Sequence, residues 1–523
     1  MMSELHTEIQ RRRTIAIISH PDAGKTTLTE KLLLYSGAIR SAGAVTGGKH
    51  RSTTSDWMSI EQERGISVSS SAMRVEYDGY LLNILDTPGH QDFSEDTYRT
   101  LMAVDCAIML LDAAKGVEEQ TVKLFKVCRD RGIPIITFIN KMDRPALSPF
   151  ELMDNVEKVL GITAVPLTYP IGDGPGFRGV YERSSGVLHL FEKTEGNKHR
   201  APVSTKGIHD PSFKALIGED AHAKFLEEIE LVEAALPPFE HEAFLQEIIT
   251  PVFFGSAITN FGIENFLQYL IDLAPSPQGM GSSAGLIAPD SSYFSGFVYK
   301  MQANMNKAHR DRISFFRIVS GIFERGMTAK HPRSGKEVKI NYPFQIFGQD
   351  RDIIDVAYPG DVIGLSNPGT FLVGDVLTTG PDFTIPQFPR FAPEIFAKLF
   401  PASGSFSKSF RKGIEQLGEE GVVQIFSDAH HSPTPLIAAV GELQLQVFQA
   451  RMESEYNEKV KLDRLPFTRM RWLGGDVKPN SATLTFAFDD ADREVILFKN
   501  DWEIGYHRDR TEGLILLDKP PIA

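Results

Sequence analysis

Ile15-Ala16-Ile17-Ile18-Ser19-His20-Pro21-Asp22-Ala23-Gly24-Lys25-Thr26-Thr27 decides the fold of this chain. An unbroken apolar run comes first, and Leu28-Thr29-Glu30-Lys31-Leu32-Leu33-Leu34 follows, so a buried strand, a tight turn and a helix succeed one another. Such a turn aims backbone N–H groups and the positive end of the helix at an anion. Lys25 adds a point charge, and the Thr26 hydroxyl is of the kind that ligates Mg²⁺ beside phosphates. The usual phosphate-binding pattern has Gly where Ser19 stands, so the stretch needs support from elsewhere in the chain.

Three further strand ends supply it, in order. Residues 81–85, apolar but for Asn83, read as a strand and end in Asp86-Thr87-Pro88-Gly89-His90, which brings a carboxylate to the place where a metal would sit beside bound phosphates. Residues 133–139 are another buried strand, with Pro134 in its first turn, ending in Asn140-Lys141-Met142-Asp143. Val252-Phe253-Phe254 leads into Gly255-Ser256-Ala257. Together these resemble the complete nucleotide-binding set of a GTPase. The resemblance implies GTP or GDP with Mg²⁺, with Asp22, Ala23, Gly24, Lys25, Thr26, Thr27 and Gly89 at the phosphates, Asn140, Lys141, Asp143, Ser256 and Ala257 at the base, and Thr26 and Asp86 on the metal. Guanine is expected over adenine, because a carboxylate at Asp143 accepts from N1–H and the exocyclic amine, and adenine offers neither donor on that edge. A site built for such donors rejects an analogue lacking them by roughly 10⁴-fold or more. By the same resemblance Asn140 reaches the purine's other edge, Lys141 lies along the base plane, and the Ala257 amide points at O6.

At 523 residues the chain is too long for one core and should hold three or four domains. Its 42% hydrophobic and 24% charged residues place it with soluble globular proteins. No apolar run approaches the roughly 18 residues of a membrane span, and residues 1–13 are too polar for a signal peptide. Cys106 and Cys128 form no metal pattern and no disulfide framework, so a reducing cytoplasm is the expected compartment. A formal net charge of −13 argues against indiscriminate nucleic-acid binding. Local basic patches for a ribonucleoprotein partner remain, namely Arg11-Arg12-Arg13, the group Lys307, His309, Arg310 and Arg312, and a loop at residues 330–339, each also readable as a solvated face.

Residues 40–71 are rich in Gly, Ser and Thr and read as a long loop beside the phosphate site, a candidate switch. Within it Asp56-Trp57-Met58 and Glu61-Gln62-Glu63-Arg64-Gly65-Ile66-Ser67 resemble the first switch of translational GTPases, which implies that Ser67, standing where many members have Thr, ligates Mg²⁺. Residues 72–77, Asp78-Gly79 and residues 80–85 give a hairpin signal. His90 stands where that family places the residue orienting the attacking water, so His90 and Lys25 are the expected catalytic side chains; Arg64 is an arginine finger in cis or a switch anchor. The strand at 106–111 and a helix after Glu118 complete a doubly wound sheet with its ligand at the strands' carboxyl ends.

A GTPase domain over residues 1–277 is thus expected, with an inserted subdomain at about 150–245. In the insert Phe225, Ile229, Val232 and Leu236 recur at helical spacing, flanked by Glu227, Glu228, Glu230 and Glu233, and Pro237-Pro238 ends the helix. The flanking glutamates are a solvated face or a partner surface. Residues 275–292 read as a linker, and β-rich runs at 294–298, 312–319 and 338–347 indicate a small β-barrel over 292–385. After a Pro-rich stretch, helices at 407–417 and 441–456 with strands at 421–426 and 436–440 resemble a split βαβ unit. That makes 390–523 an α+β, ferredoxin-like domain, with further strands at 483–488 and 495–498.

His309-Arg310-Asp311 lacks the partner motifs of a kinase loop, His241-Glu242 has Leu245 where a zinc ligand would stand, and no Gly-Gly-Gln of a peptidyl-tRNA hydrolase occurs. Over nearly its whole length the chain resembles the bacterial class II peptide-chain release factors. The specific stretches are residues 19–27, 55–67 and 85–104, and Lys300-Met301-Gln302-Ala303-Asn304-Met305 followed by His309-Arg310-Asp311-Arg312-Ile313. The resemblance implies a cytoplasmic, monomeric GTPase without a membrane, whose partners are the ribosome, its stalk protein included, and the codon-reading release factors that it drives off after peptide release. A translocase like elongation factor G, which carries two more carboxyl-terminal domains, and a GTP-dependent binding switch with little hydrolysis are the alternatives.

Overall fold

The computed structural model describes residues 4–39, 61, 67–192, 203–303, 312–347, 350–367, 369–386, 388, 390–428, 434–479 and 484–521. A short helix, α1 (Glu4–Gln10), precedes β1 (Arg12–Ser19), which is buried along its whole length. The phosphate-loop helix α2 (Lys25–Tyr35) follows. Strands β2 (Ser71–Tyr77) and β3 (Tyr80–Asp86) form the expected hairpin, and Asp78 and Gly79 at its tip have φ of 47° and 79°, the left-handed pair a two-residue turn requires. Helix α3 (Ser94–Leu101), β4 (Cys106–Asp112), α4 (Glu119–Asp130), β5 (Ile135–Asn140), α5 (Pro149–Leu160) and β6 (Thr163–Pro166) come next. Pro134 lies one residue before β5, where its missing N–H removes no ladder bond.

The insert is an antiparallel sheet of β7 (Thr168–Ile171), β8 (Gly179–Glu182), β9 (Val187–Phe191) and β10 (Val203–Gly207), with α6 (Pro211–Ile217) and α7 (Glu219–Ala235). The helical stripe Phe225, Ile229 and Val232 packs on Tyr169, Tyr181 and Leu188 of that sheet. After α8 (His241–Leu245), β11 (Ile249–Phe254) returns to the main sheet between β5 and β6, and α9 (Ile263–Leu273) closes the domain. The main order is β2-β3-β1-β4-β5-β11-β6, with β1 parallel to β3 on one side and β4 on the other. Leu28 and Leu32 of α2 pack with Ile263 and Leu267 of α9 on one face, Leu124 of α4 with Leu152 of α5 on the other. Chain order reverses at β1, and in sheets of this kind a ligand binds in the crevice outside the strands' carboxyl ends at such a point.

The segment at 275–292 is more than a linker, because it carries a short hairpin, β12 (Met280–Ser282) with β13 (Gly285–Ile287). The barrel comprises β14 (Ser295–Ala303), β15 (Arg312–Ser320), β16 (Phe323–Glu324), β17 (Thr328–His331), β18 (Lys336–Lys339), β19 (Pro343–Phe347), β20 (Asp350–Ile353), β21 (Val356–Ala357), β22 (Val362–Ser366) and β23 (Val376–Thr378), around Phe294, Val298, Phe316, Ile318 and Leu377. The run 338–347 is therefore two strands, broken at Asn341 and Tyr342, which are both exposed. Residues 330–339 form a hairpin rather than a basic loop; Lys330 pairs with Asp382 at 2.6 Å and Arg333 with Asp375 at 2.6 Å. Arg11-Arg12-Arg13 is not a free basic patch either. Arg12 and Arg13 are buried, Arg12 pairing with Glu8 and with Asp361 at 2.9 Å, and Arg13 donating to the Ile271 carbonyl. Of the third basic group Arg312 pairs with Glu419, and Lys307, His309 and Arg310 lie outside the described residues.

In the C-terminal domain β24 (Ile395–Pro401), α10 (Lys408–Glu420), β25 (Gln424–Asp428), β26 (Leu436–Ala439), α11 (Glu442–Tyr456) and β27 (Val460–Arg464) give a β-α-β-β-α-β unit with strand order β27-β24-β26-β25, antiparallel throughout. β24 and β27 escape the sequence patterns. A second half, β28 (Arg469–Leu473), β29 (Thr485–Phe488), β30 (Glu494–Phe498), α12 (Asp501–Arg510) and β31 (Leu516–Leu517), continues the sheet through β25 and β29. Trp472 is fully buried there, its indole N–H donating to Asp489 at 3.0 Å. No helix among the described residues is long and apolar enough to cross a membrane.

Candidate guanine-nucleotide site

The carboxyl ends of β1, β3 and β5 surround a cavity of about 390 Å³. Asp22, Gly24, Lys25, Thr26, Thr27, Ser67, Gly89, His90, Asn140, Lys141 and Ala257 line it. His20, Arg144 and Ile258 line it as well; they flank the motif residues and carry no pattern of their own. A larger cavity of about 700 Å³ lies at the other end of these strands, beside Asp105, Pro134 and Arg317, away from the phosphate loop.

The loop's shape follows from two left-handed residues, Asp22 at φ 67° and Gly24 at φ 103°. Gly24 precedes α2 without any side-chain cap, so the helix's first amides are left for an anion. The position also admits only glycine for space, because a Cβ would run into the Asn140 amide nitrogen. That nitrogen donates to the Ala23 carbonyl at 2.8 Å, and Lys141 Nζ donates to the Asp22 carbonyl at 2.6 Å and to Asp112 at 2.7 Å. The base-side motif therefore braces the phosphate loop. Burial works to raise the Asp112 carboxyl, but the bonds from Lys141 and the Ala114 amide outweigh it and hold the pKa below the ordinary value.

At the base end Ser256, fully buried, donates from Oγ to Asp143 Oδ1 at 2.6 Å and so aims the carboxylate. The Ala257 amide, expected at the purine O6, instead donates to Asn140 Oδ1 at 2.9 Å and so orients the Asn140 side chain. Met142 N bonds to the Gly255 carbonyl at 3.1 Å, tying the two base-side loops together. At the phosphate end Lys25 Nζ pairs with Asp86 Oδ1 at 2.5 Å, both buried, and lies 3.4 Å from Ser67 Oγ. Thr26 Oγ1 and Ser67 Oγ are 3.3 Å apart. Adjacent corners of a Mg²⁺ octahedron are separated by about 2.9 Å, so these hydroxyls with the Asp86 carboxylate fit a hard, all-oxygen metal site. No cluster of His, Cys, Asp and Glu suited to another metal occurs among the described residues.

His90 borders the cavity, half-exposed, and the hydrogen bond to Asp92 raises its pKa above the ordinary value against the opposing effect of burial. Of the first switch, Glu61 accepts from the amides of Val68 at 3.0 Å and Ser69 at 3.2 Å; Trp57, Arg64 and Ile66 lie outside the described residues.

Residues 10–276 match the family described as the elongation factor Tu GTP binding domain, residues 293–380 elongation factor G domain 2, and residues 385–508 the class II release factor RF3 C-terminal domain. A protein of Symbiobacterium thermophilum named peptide chain release factor 3 is 52% identical over 98% of this chain and 98% of its own. One of the same name from Synechocystis is 51% identical over 96% of this chain and 93% of its own. A crystal structure from Thermus thermophilus shares the fold over 92% of this chain and 73% of its own, with a TM-score of 0.70 at 20% identity. With all three regions matched in order and half the residues identical from end to end, the chain belongs to the peptide chain release factor 3 family, and is a guanine-nucleotide-binding translational GTPase of termination.

Proposed function

We propose that the protein is a cytoplasmic, monomeric GTPase that acts on the ribosome and, by binding and hydrolysing GTP, drives the codon-reading release factors off after peptide release. The observation that supports the reading is that Lys25, Thr26, Ser67, His90, Asn140 and Lys141 line one cavity, with Asp86 paired to Lys25 behind it and Asp143 held by Ser256. The uncapped amides at the start of α2 and Lys25 receive the β- and γ-phosphates. Thr26, Ser67 and Asp86 would hold Mg²⁺, which supplies charge neutralisation at the phosphates. Asp143 takes both donors of the guanine edge, and Asn140 and Lys141 hold loop and base together. His90 orients the attacking water, and the ribosome brings it into the productive arrangement.

The test is GTP turnover with and without ribosomes, followed by dissociation of a codon-reading release factor. His90→Ala should keep nucleotide affinity and lose ribosome-stimulated turnover by roughly 10²-fold or more. Asp143→Asn should weaken GTP and favour xanthosine triphosphate, whose base carries an oxygen in place of the amine. Normal turnover in the first, or unchanged GTP affinity in the second, refutes the corresponding role; stimulated turnover without factor release refutes the termination step.

A further inference from the structure

The turn after His90 and the helix α3 that follows it are docked on the C-terminal domain. Asp92 Oδ2 accepts from the Leu443 amide at 2.8 Å, Phe93 packs with Val447, Glu95 Oε1 accepts from the Phe391 amide at 2.9 Å and from Gln424 at 3.0 Å, and Arg99 donates to the Glu420 carbonyl at 2.9 Å. The Asp92 contact is built rather than incidental. Helix α11 begins after Gly441 and has no side-chain cap of its own, so Asp92 serves its second residue in that role. The φ of Gly441, −144°, suits any residue, but a Cβ there would run into the Asp92 carboxyl group. What the position demands is room for that carboxylate.

The same carboxylate faces His90. Nδ1 lies 3.1 Å from Asp92 Oδ1 and 3.2 Å from the Asp92 amide nitrogen. A carboxylate only accepts and an amide only donates, so a protonated Nδ1 bonds to the first and an unprotonated Nδ1 to the second. The ring is held by one edge in either state, and Nε2, bonded to no described residue, is left for the cavity that His90 borders. Burial raises the Asp92 carboxyl, and the bonds from His90 and Leu443 more than offset it, so its pKa lies below the ordinary value.

We propose that Asp92 is the positioning residue for His90 and that the N-terminus of α11 positions Asp92, so that the seating of the C-terminal domain on α3 governs the geometry of GTP hydrolysis. This rests on the role given to His90 above. A carboxylate that holds an imidazole by one edge and leaves the other nitrogen to the reactants sets the direction of the ring. Here its second oxygen belongs to another domain's helix. A large partner that shifts the C-terminal domain against the GTPase domain acts on His90 through two hydrogen bonds.

Four full-length variants test it: His90→Ala, Asp92→Asn, Gly441→Ala and, as control, Gly505→Ala, whose added methyl meets nothing within 4 Å. GTP affinity, ribosome-stimulated kcat against pH, and the His90 imidazole titration by NMR, assigned by its loss in His90→Ala, are measured for each. Asp92→Asn and Gly441→Ala should each lower kcat on the order of 10-fold. Both should leave GTP affinity unchanged and move the His90 titration, and the pH midpoint of turnover, downward; Gly505→Ala should do neither. Wild-type turnover in His90→Ala overturns the role of His90 itself. Loss in His90→Ala with wild-type kcat or an unmoved titration in Asp92→Asn overturns the positioning alone. A Gly441→Ala protein that leaves the His90 titration in place, whatever its kcat, overturns the link to the C-terminal domain.

Discussion

Lys300→Met asks how firmly the barrel holds the strand end that carries Ser67. Lys300 on β14 is 4% exposed, and its Nζ donates to Ser69 Oγ at 2.6 Å, to Ser70 Oγ at 3.0 Å and to the Ser70 carbonyl, with Asp96 Oδ2 at 3.7 Å. Burial lowers the Lys300 pKa against the pull of Asp96, Glu61 and Glu420, which marks the ammonium as substantially desolvated. Methionine keeps the length and volume and donates nothing. Three hydrogen bonds to a charged donor at about 1.5–3 kcal/mol each give a gross loss of roughly 5–9 kcal/mol. Relief of the ammonium's desolvation, several kcal/mol in a buried site, offsets about half, leaving a net loss of about 2–4 kcal/mol at the junction. Asp96 still accepts from the Ser70 amide at 2.6 Å, so no carboxylate is orphaned. With about 1.4 kcal/mol per factor of ten, amide protection over residues 67–77 should fall by roughly 30- to 700-fold if that segment opens locally. Hydrogen exchange with mass spectrometry on the full chain measures this, with residues 135–140 of β5 as internal reference. Equal protection of 67–77 in both proteins would show that the Lys300 bonds do not hold the strand end, and the reasoning fails.

Gly24→Ala should lower both GTP and GDP affinity by about 10-fold or more, since the left-handed φ strains alanine by about 1–3 kcal/mol and its methyl displaces the Asn140 brace; fluorescent-nucleotide titration checks it, and wild-type affinity refutes it. Burial pushes Lys31 on α2 down to about 8 despite Glu30, whereas an unfolded lysine titrates near about 10.4. Between those values the unfolded chain binds more protons, so stability rises with pH, and Lys31→Met should flatten that rise in the thermal midpoint; identical slopes would refute it. In the insert, Glu228 accepts from the Tyr169 hydroxyl at 3.2 Å and Glu233 pairs with Arg183 at 3.0 Å, while Glu227 and Glu230 are exposed. Replacing Glu227 and Glu230 by Gln should therefore slow ribosome association at low salt, where charges act beyond the roughly 8 Å of physiological screening, and leave stability alone; equal association rates at every salt concentration would return that face to plain solvation.

Features set by the residues nearest in the chain could be read from the sequence. The apolar run of β1, the Asp78-Gly79 turn, the Gly-Lys-Thr start of α2 and the stripe Phe225, Ile229 and Val232 all follow from local dihedral needs and from side-chain periods of 2 and 3.6, which need no knowledge of distant partners. β27, Val-Lys-Leu-Asp-Arg, has no residue buried, and α12 buries only Ile504 and His507, so neither carries a pattern that periodicity detects. Charge sequence misleads for a related reason: Arg11-Arg12-Arg13 looks the same whether it faces solvent or, as it does, reaches Glu8, Asp361 and the Ile271 carbonyl. Only the tertiary structure decided that Ser256 aims Asp143, that Asn140 and Lys141 brace the phosphate loop, that Lys300 grips the strand end beside Ser67, and that Gly441 makes room for Asp92. The first three pair a donor with an acceptor, and the last leaves space for one, across domains or across many residues. Hydrogen bonds act over about 3 Å, and which groups come that close is settled by how the cores pack, not by the residues on either side.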